Sequence, residues 1–491
     1  MLESYFNYFR KNIIGIDQNF NSPIGEKKIV YADWIASGRL YKPIEDKIVN
    51  EFGPFVSNTH TETSETGKRM TIAYHTAQQI IKQHVNASSN DVIISSGSGM
   101  TTVINKLQRI LGLRHCGKIM KNNCLEERER PIIFITHMEH HSNHTSWYAC
   151  SADVEIIKPT SNLLVDLNDL EEKLKKYKNR QYKIASVTAC SNVTGIHTPY
   201  YEIAKLMHLY GGLCFVDFAA SAPYETINMH PENPYEKLDA IFFSPHKFLG
   251  GPGSSGILIF DRNMYHNPIP DQPGGGTVDW TNPWGEYKFV DDIEAREDGG
   301  TPAFLQTIKA ALSIKLKELM TVEKIKEREN FMVDYFFSKL ENIPEIKILA
   351  NEHKNRLPVF SFYHNDIHYN LMVKLLSDYF GIQTRGGCAC AGTYGHYLLE
   401  VSYEKSKAIT EKINHGDLSE KPGWVRISLH PTNTNYEMDY ILDKIQYIVK
   451  NYKNMQKEYL YNPKTNEFYH KSSANNYISD IKKWFQLEKQ V

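Results

Sequence analysis

Long apolar runs are missing from this sequence: nothing approaches the roughly 18 consecutive apolar residues that a membrane span requires, so no membrane partner is expected. A surplus of one charge is missing too. The 491 residues hold 56 Lys and Arg against 57 Asp and Glu, a formal net charge of −1, with no basic block. That balance argues against nucleic acid as a partner. Cysteine is scarce: the seven residues at 116, 124, 150, 190, 214, 388 and 390 are odd in number and scattered, unlike the dense, even framework of a secreted disulfide scaffold. The N-terminus, MLESYFNYFRKNIIGIDQNF, interrupts its apolar residues with Glu3, Arg10 and Lys11 and lacks the apolar core of a signal peptide. These absences lead to an expectation of a cytoplasmic protein acting on a small molecule. The length suffices for two or more domains, and no internal repeat or low-complexity block divides it.

From about residue 70 to 260, short β-branched runs alternate with stretches of helical periodicity. The strand candidates are VIIS (92–95), IIFIT (132–136), IASVTA (184–189), LCFVDF (213–218), AIFFS (240–244) and GILIF (256–260). Between them, spacings such as Val103, Ile104, Leu107, Ile110 and Leu111 indicate helix. Continuous apolar strands separated by helices predict an α/β fold with a mostly parallel sheet covered on both faces. A Gly/Pro-rich connection, DQPGGGTVDWTNPWGE, follows, then a long helical run from about Pro302 to Leu340 and a smaller α+β region. The division expected is an N-terminal arm (1–30), a large domain (31–310) with a charged insertion at 113–130, a small C-terminal domain (311–450) and a polar tail (451–491).

Ligands in open α/β sheets sit beyond the carboxyl ends of strands, so the polar residues there carry the chemistry. VIIS leads into Ser96-Gly97-Ser98-Gly99-Met100-Thr101-Thr102 and a helix, where backbone N–H groups and the helix dipole can hold a phosphate. An ordinary helix cap reads the same way, because GSGMTT lacks the third glycine of a dinucleotide fingerprint and the lysine of a P-loop. Ser244-Pro245-His246-Lys247, followed by a glycine cluster, places a lysine at another strand end, as suits a Schiff-base lysine for pyridoxal phosphate. Thirty residues upstream, Asp217 ends LCFV, where a carboxylate can keep a pyridine nitrogen protonated.

Taken in order, GSGMTT, MEHHSN, SNVTG, VDFAA, SPHKFLGGPG, DGGTP, RGGCACAG and WVRISL resemble the class V aminotransferase family of fold-type I pyridoxal-phosphate enzymes, in its cysteine desulfurase and selenocysteine lyase branch. The resemblance spans roughly residues 30 to 450. It implies that Lys247 bonds the cofactor, Asp217 pairs with the pyridine nitrogen, His140 stacks on the ring and Asn192 hydrogen-bonds near the phenolate. Gly99, Met100, Thr101, Ser244 and His246 would hold the phosphate. Thr301 would reach the phosphate of a neighbouring subunit, implying a homodimer, and Arg426 would bind the substrate carboxylate. One departure stands out: the family usually has Gln three residues after the Asp, where this chain has Ala220, so the phenolate loses a donor.

Within RGGCACAGTYGHY, Arg385-x-Gly387-x-x-Cys390 matches the desulfurase pattern in which a glycine-flanked cysteine attacks the substrate sulfur. A shift of two residues would give that role to Cys388. The reaction implied is L-cysteine to L-alanine, leaving a persulfide on Cys390 for a sulfur-acceptor protein. The rival within the fold is an aminotransferase, epimerase or β-lyase that uses Lys247 without the cysteine. A rival of another class is a non-catalytic scaffold or a metal-binding protein built on His137, His140, His141 and His144, or on Cys388, Cys390 and His396. HMEHH matches neither zinc helix motif and the CxC lacks a second cysteine pair, so no metal is assigned.

Overall fold

A computed structural model describes residues 2–59, 61–114, 126–472 and 477–487. Most of the segment 113–130 therefore lies outside the described residues. The large sheet has seven strands: β1 (Asp91–Ser96), β2 (Ile132–Thr136), β3 (Asp153–Ile157), β4 (Lys183–Thr188), β5 (Leu213–Asp217), β6 (Ala240–Phe243) and β7 (Gly256–Asp261). Their spatial order is β1-β7-β6-β5-β4-β2-β3. Neighbours from β6 through β3 run parallel, and only β7 is antiparallel to its two neighbours. Alternate side chains of one strand enter different cores. Ile132 and Phe134 join Val187, Val216 and Ile241 on one face, while Ile133 and Ile135 join Phe215, Phe242 and Leu258 on the other. Burial on both faces is why these strands read as unbroken apolar runs.

All six predicted strands are present. The seventh, β3, escaped the sequence reading because it is an edge strand, only half buried over most of its length, with Asp153 and Glu155 interrupting its apolar residues. The Gly/Pro-rich connection also holds structure: Val278–Thr281 pairs with Tyr287–Phe289 as an exposed hairpin. The single helical run expected from Pro302 to Leu340 is two helices, Phe304–Met320 and Val322–Leu340, separated by Thr321 at φ 55°. The first packs Ile308, Ala311 and Ile314 into the large core. The second packs Met332, Phe336 and Phe337 into another. Apolar periodicity continues through the break because both helices are amphipathic; only their partners differ.

That second core covers an antiparallel sheet of β8 (Ile346–Ile348), β9 (Val359–His364), β10 (Arg385–Gly387) and β11 (Trp424–Ser428), in the order β8-β9-β11-β10. The N-terminal segment ties into it, as Val30–Tyr31 pairs in parallel with Ile382–Gln383 and Arg10 forms a two-pronged ion pair with Glu437. Glu437 also completes a capping box with Thr434 at the start of the helix Asn435–Met455. The stretch read as a polar tail folds: Tyr459–Asn462 and Glu467–His470 form a hairpin. No helix among the described residues is long and apolar enough to cross a membrane.

Candidate active site

The carboxyl ends of β1, β2, β4, β5 and β6 surround a cavity of about 400 Å³. Gly99, Met100 and Thr101 border it where β1 turns into the helix Met100–Ile110. The Met100 N–H donates to Ser244 Oγ at 2.9 Å, which joins the glycine turn to the turn that carries Lys247. A Cβ on Gly99 would lie 3.0 Å from Ser244 Oγ and 3.6 Å from the His246 ring. The turn is thus fitted closely around backbone N–H groups at a helix N-terminus, an arrangement that favours an anion.

Lys247 and Asp217 face the same cavity. The protein around Lys247 shields its ammonium from water and brings its pKa down to about 8, even with Asp217 opposing the shift. Burial pushes the Asp217 carboxyl up to about 6, partly offset by the Ala219 N–H, which donates to Oδ1 at 2.8 Å, and by Lys247. His140 also borders the cavity. Burial, then the nearby Lys247 charge, lowers its pKa to about 3, so the ring is neutral at pH 7. Its Nδ1 accepts the Ser142 N–H at 3.1 Å, capping the helix His141–Tyr148.

Glu139, which the sequence reading passed over, anchors that corner. Its Oε1 accepts from Thr136 Oγ1 at 2.7 Å and from the Thr188 N–H at 2.9 Å, and Oε2 accepts from Asn143 Nδ2 at 2.7 Å. The carboxyl therefore ties the end of β2 to the end of β4 directly beside His140. Burial raises its pKa to about 8 despite those donors.

The four-stranded antiparallel sheet and its loops supply the cavity's remaining wall. Arg426 lies in β11 and Arg385 in β10, paired opposite one another. Arg426 donates to Asn192 O at 3.0 Å and to Asp33 Oδ1 at 2.7 Å, and its buried Nε has no partner. Arg385 Nε donates to Asp33 Oδ2 at 3.0 Å. Asp33 is the second residue missed from the sequence, although a carboxylate closing the short run IVYA gives the same signal as Asp217. The loop after β10 holds Ala389 and Cys390 at φ 50° and 57°, a region unfavourable for side-chain-bearing residues. Two bonds keep it there: His141 N–H to Cys390 O at 2.8 Å, and Asn192 Nδ2 to Ala389 O at 2.7 Å. Cys390 is exposed and lines the cavity. Cys388 does not line it, and packs beside the cluster of Ala391, Tyr394 and Trp424. A second cavity, of about 730 Å³, reaches both cysteines and is bordered by Phe468 and Tyr469 of the C-terminal hairpin.

Of the residues singled out from the sequence, Gly99, Met100, Thr101, His140, Asn192, Asp217, Ser244, His246, Lys247, Arg385, Cys390 and Arg426 all border the first cavity. Thr301 does not; it is exposed on a loop. The histidine cluster disperses. His137 Nε2 bonds Leu163 O, His141 Nε2 accepts the Gly392 N–H, and His144 lies beside Tyr148. No metal-holding group of three His, Cys, Asp or Glu occurs among the described residues.

The sequence pattern of the aminotransferase class-V family matches residues 30–441. The chain belongs to that family. Curated relatives include a probable cysteine desulfurase of Halalkalibacterium halodurans, 26% identical over 77% of this chain and 86% of the relative. Another, from Staphylococcus aureus strain Mu50, is 25% identical over 77% of this chain and 85% of its own length. Among solved structures, the apo cysteine desulfurase from Thermococcus onnurineus NA1 superposes with a TM-score of 0.71 at 22% identity, covering 90% of this chain and 98% of that one. An Escherichia coli cysteine desulfurase gives 0.69 at 19% identity, over 91% and 98%. These likenesses establish the fold of the class-V chain as that of fold-type I enzymes.

The cofactor implied by a class-V fold is pyridoxal phosphate, and the cavity accommodates its chemistry. The glycine turn with Ser244 and His246 suits a phosphate, Asp217 suits a pyridinium and Lys247 an aldehyde carbon. Arg426 Nε and Asn192 Oδ1 are buried polar atoms without protein partners, as expected where a ligand completes the bonding. The phenolate end fits less well. Ala220 contributes only a methyl group, and Asn192 gives one of its two N–H donors to Ala389 O while its Oδ1 has no partner.

Proposed function

We propose that this class-V protein is a pyridoxal-phosphate-dependent cysteine desulfurase. The observation that carries the proposal is the joint placement of Lys247, Arg426 and Cys390 around one cavity: an amine, a carboxylate receptor and a nucleophilic thiol. Bound there, pyridoxal phosphate supplies an electron sink for the pair left when the substrate Cα–H bond breaks. Arg426 holds the substrate α-carboxylate with the N–H groups it has not committed to Asp33 and Asn192. Lys247, brought near neutrality by its surroundings, takes the Cα proton and returns it. Asp217 holds a proton on the ring nitrogen, and neutral His140 covers the ring face. Cys390 Sγ then attacks the substrate Sγ. The Cβ–Sγ bond breaks, its electron pair stays on carbon and is protonated, and a sulfur–sulfur bond forms. L-cysteine and the enzyme thiol become L-alanine and an enzyme persulfide, with no external oxidant.

We propose further that the protein is a cytoplasmic homodimer in which Thr301 serves the neighbouring subunit's phosphate, a reading supported by its exposure away from its own cavity. The persulfide would pass to an acceptor protein. The deciding experiment is to supply L-cysteine and identify products. With a thiol reductant added to release the persulfide sulfur, alanine formed together with sulfide supports the proposal; pyruvate with sulfide assigns β-elimination instead. Borohydride reduction and peptide mapping should place the pyridoxyl group on Lys247, and absence of any bound chromophore would favour the scaffold reading.

A further inference from the structure

Histidines stand at 137, 140, 141 and 144, and the proposed function uses only His140. His141 borders neither the cavity that holds Lys247 nor the second one, yet it grips the nucleophile's loop on both sides of Cys390. Its backbone N–H donates to Cys390 O at 2.8 Å, and its ring Nε2 accepts the Gly392 N–H at 3.0 Å. Further along the same helix, His144 Nδ1 lies 3.4 Å from Thr393 Oγ1. The helix His141–Tyr148 follows β2 of the large sheet, whereas Cys390 follows β10 of the antiparallel sheet. The histidines therefore tie the nucleophile's loop to the other sheet. The loop needs such a tie, because Ala389 and Cys390 both lie in the left-handed region, at φ 50° and 57°, which side-chain-bearing residues keep only where their surroundings hold them. On the N-terminal side, Asn192 Nδ2 donates to Ala389 O at 2.7 Å and the Ala391 N–H closes a turn on Cys388 O at 3.0 Å. On the C-terminal side, Gly392 opens the helix Gly392–Leu398, where the first N–H groups have no acceptor within the helix. The His141 ring receives that of Gly392.

We infer that the His141 imidazole is a positioning residue: by accepting the Gly392 N–H it keeps Cys390 in the left-handed conformation that sets its thiol at the cavity. The inference rests on the desulfurase reading for the reaction that the thiol performs, and on the geometry of the loop for the clamp itself. The ring accepts at Nε2 in its neutral form, with the proton on Nδ1. Burial, then the nearby Lys421 charge, holds the pKa of His141 below the ordinary 6.5, which keeps that acceptor at pH 7. A Cβ on Gly392 would lie 3.3 Å from His141 Nε2, so the ring is fitted against the glycine itself. Leucine fills similar space and cannot accept a hydrogen bond, whereas the Oε1 of glutamine reaches about as far as Nε2 and can. Neither substitution removes the backbone bond from residue 141 to Cys390 O, so together they isolate the ring.

The test separates positioning of the thiol from binding of the substrate. In the purified holoenzyme without substrate, the backbone amides of residues 390–393 should exchange hydrogen about tenfold faster in His141→Leu than in wild type, and within about threefold of wild type in His141→Gln. With L-cysteine, persulfide formation on Cys390 in a single turnover, read by alkylation and mass spectrometry, should slow about tenfold in His141→Leu and recover to within about threefold in His141→Gln. The L-cysteine concentration that half-saturates the change in the visible cofactor band should stay within about twofold in both, because His141 does not line the substrate cavity. Gly392→Ala presses on the same bond from the other side and should slow persulfide formation about threefold with the same half-saturation. Wild-type exchange and rate in His141→Leu, or a His141→Gln variant as slow as His141→Leu, overturns the inference. Should His141→Leu fail to fold, Gly392→Ala decides, and a wild-type rate there overturns it equally. If the wild type itself forms no persulfide while the exchange rates shift as stated, the desulfurase reading fails and the clamp stands.

Discussion

At the scale of single residues, the cavity distinguishes two cysteines that the sequence places two positions apart. Cys390 borders the cavity that holds Lys247 and Cys388 does not, so the two alanine variants should differ. Cys390→Ala is expected to lower alanine production by about two orders of magnitude or more, the scale of losing a nucleophile, while Cys388→Ala stays within a few-fold of wild type. Alkylation and mass spectrometry of enzyme supplied with L-cysteine should find the persulfide on residue 390. Equal activity in both variants and their double would assign the chemistry to the aminotransferase or lyase reading. Ala220 makes a second residue-scale prediction. With one donor fewer at the phenolate, the protonated form of the lysine–cofactor imine is favoured by the less neutralised negative charge beside it. Ala220→Gln should therefore lower the pH midpoint of the visible cofactor band by about one unit, as read by spectrophotometric titration. A midpoint that stays or rises would show that another group already supplies the bond.

At the scale of elements, one side chain makes several of the bonds that hold the C-terminal hairpin, beside the buried Tyr459 Oη–Asp378 bond. Asn466, at φ 59° in the hairpin turn, donates from Nδ2 to Tyr369 Oη at 2.6 Å and accepts from Tyr461 Oη at 2.9 Å; its backbone O accepts from Asn370 Nδ2 at 2.6 Å. Asparagine tolerates this backbone region better than most residues, and its buried amide joins the hairpin to the helix Tyr369–Phe380. Asn466→Ala removes both side-chain bonds and adds backbone strain. The expected loss is about 1–3 kcal/mol for polar groups left unpaired, read as a lower urea midpoint, with faster proteolytic cleavage within residues 459–470. Phe468 and Tyr469 border the second cavity and not the one lined by Lys247 and Arg426, so loosening the hairpin should leave L-cysteine binding intact. Unchanged protection would mean that the hairpin is held chiefly by its aromatic contacts.

For the whole molecule, the buried Glu139 couples stability to pH. Its folded pKa, about 8, lies above the ordinary 4.5 of an unfolded glutamate. Between those values the folded protein holds a proton that the unfolded chain releases. Its contribution is complete below about pH 4.5 and lost as pH rises towards 8, on the order of a few kcal/mol. The thermal midpoint of wild type should carry a decline over that window that Glu139→Gln lacks, even though the variant starts lower for want of a good acceptor towards Asn143. Matching slopes in the two proteins would show that Glu139 is ionised when folded. The same residue marks the boundary between what could be read early and what could not. Residue order by itself determined the six apolar strands, because burial on both sheet faces leaves unbroken hydrophobic runs, and it determined which strand ends bear Lys247, Asp217 and the glycine turn, because polar residues there interrupt a strong pattern. It could not determine β3, whose half-buried edge weakens the pattern, nor the break at Thr321, where the periodicity continues while the packing partner changes. The pairing of Asp33 with Arg385 and Arg426, and of Glu139 with Thr188, joins residues tens to hundreds of positions apart. Only folding brings such groups together, the first set where β10 pairs with β11 and the second where β2 lies beside β4, since Coulomb and hydrogen-bond energies depend on distance in space and leave no period along the chain.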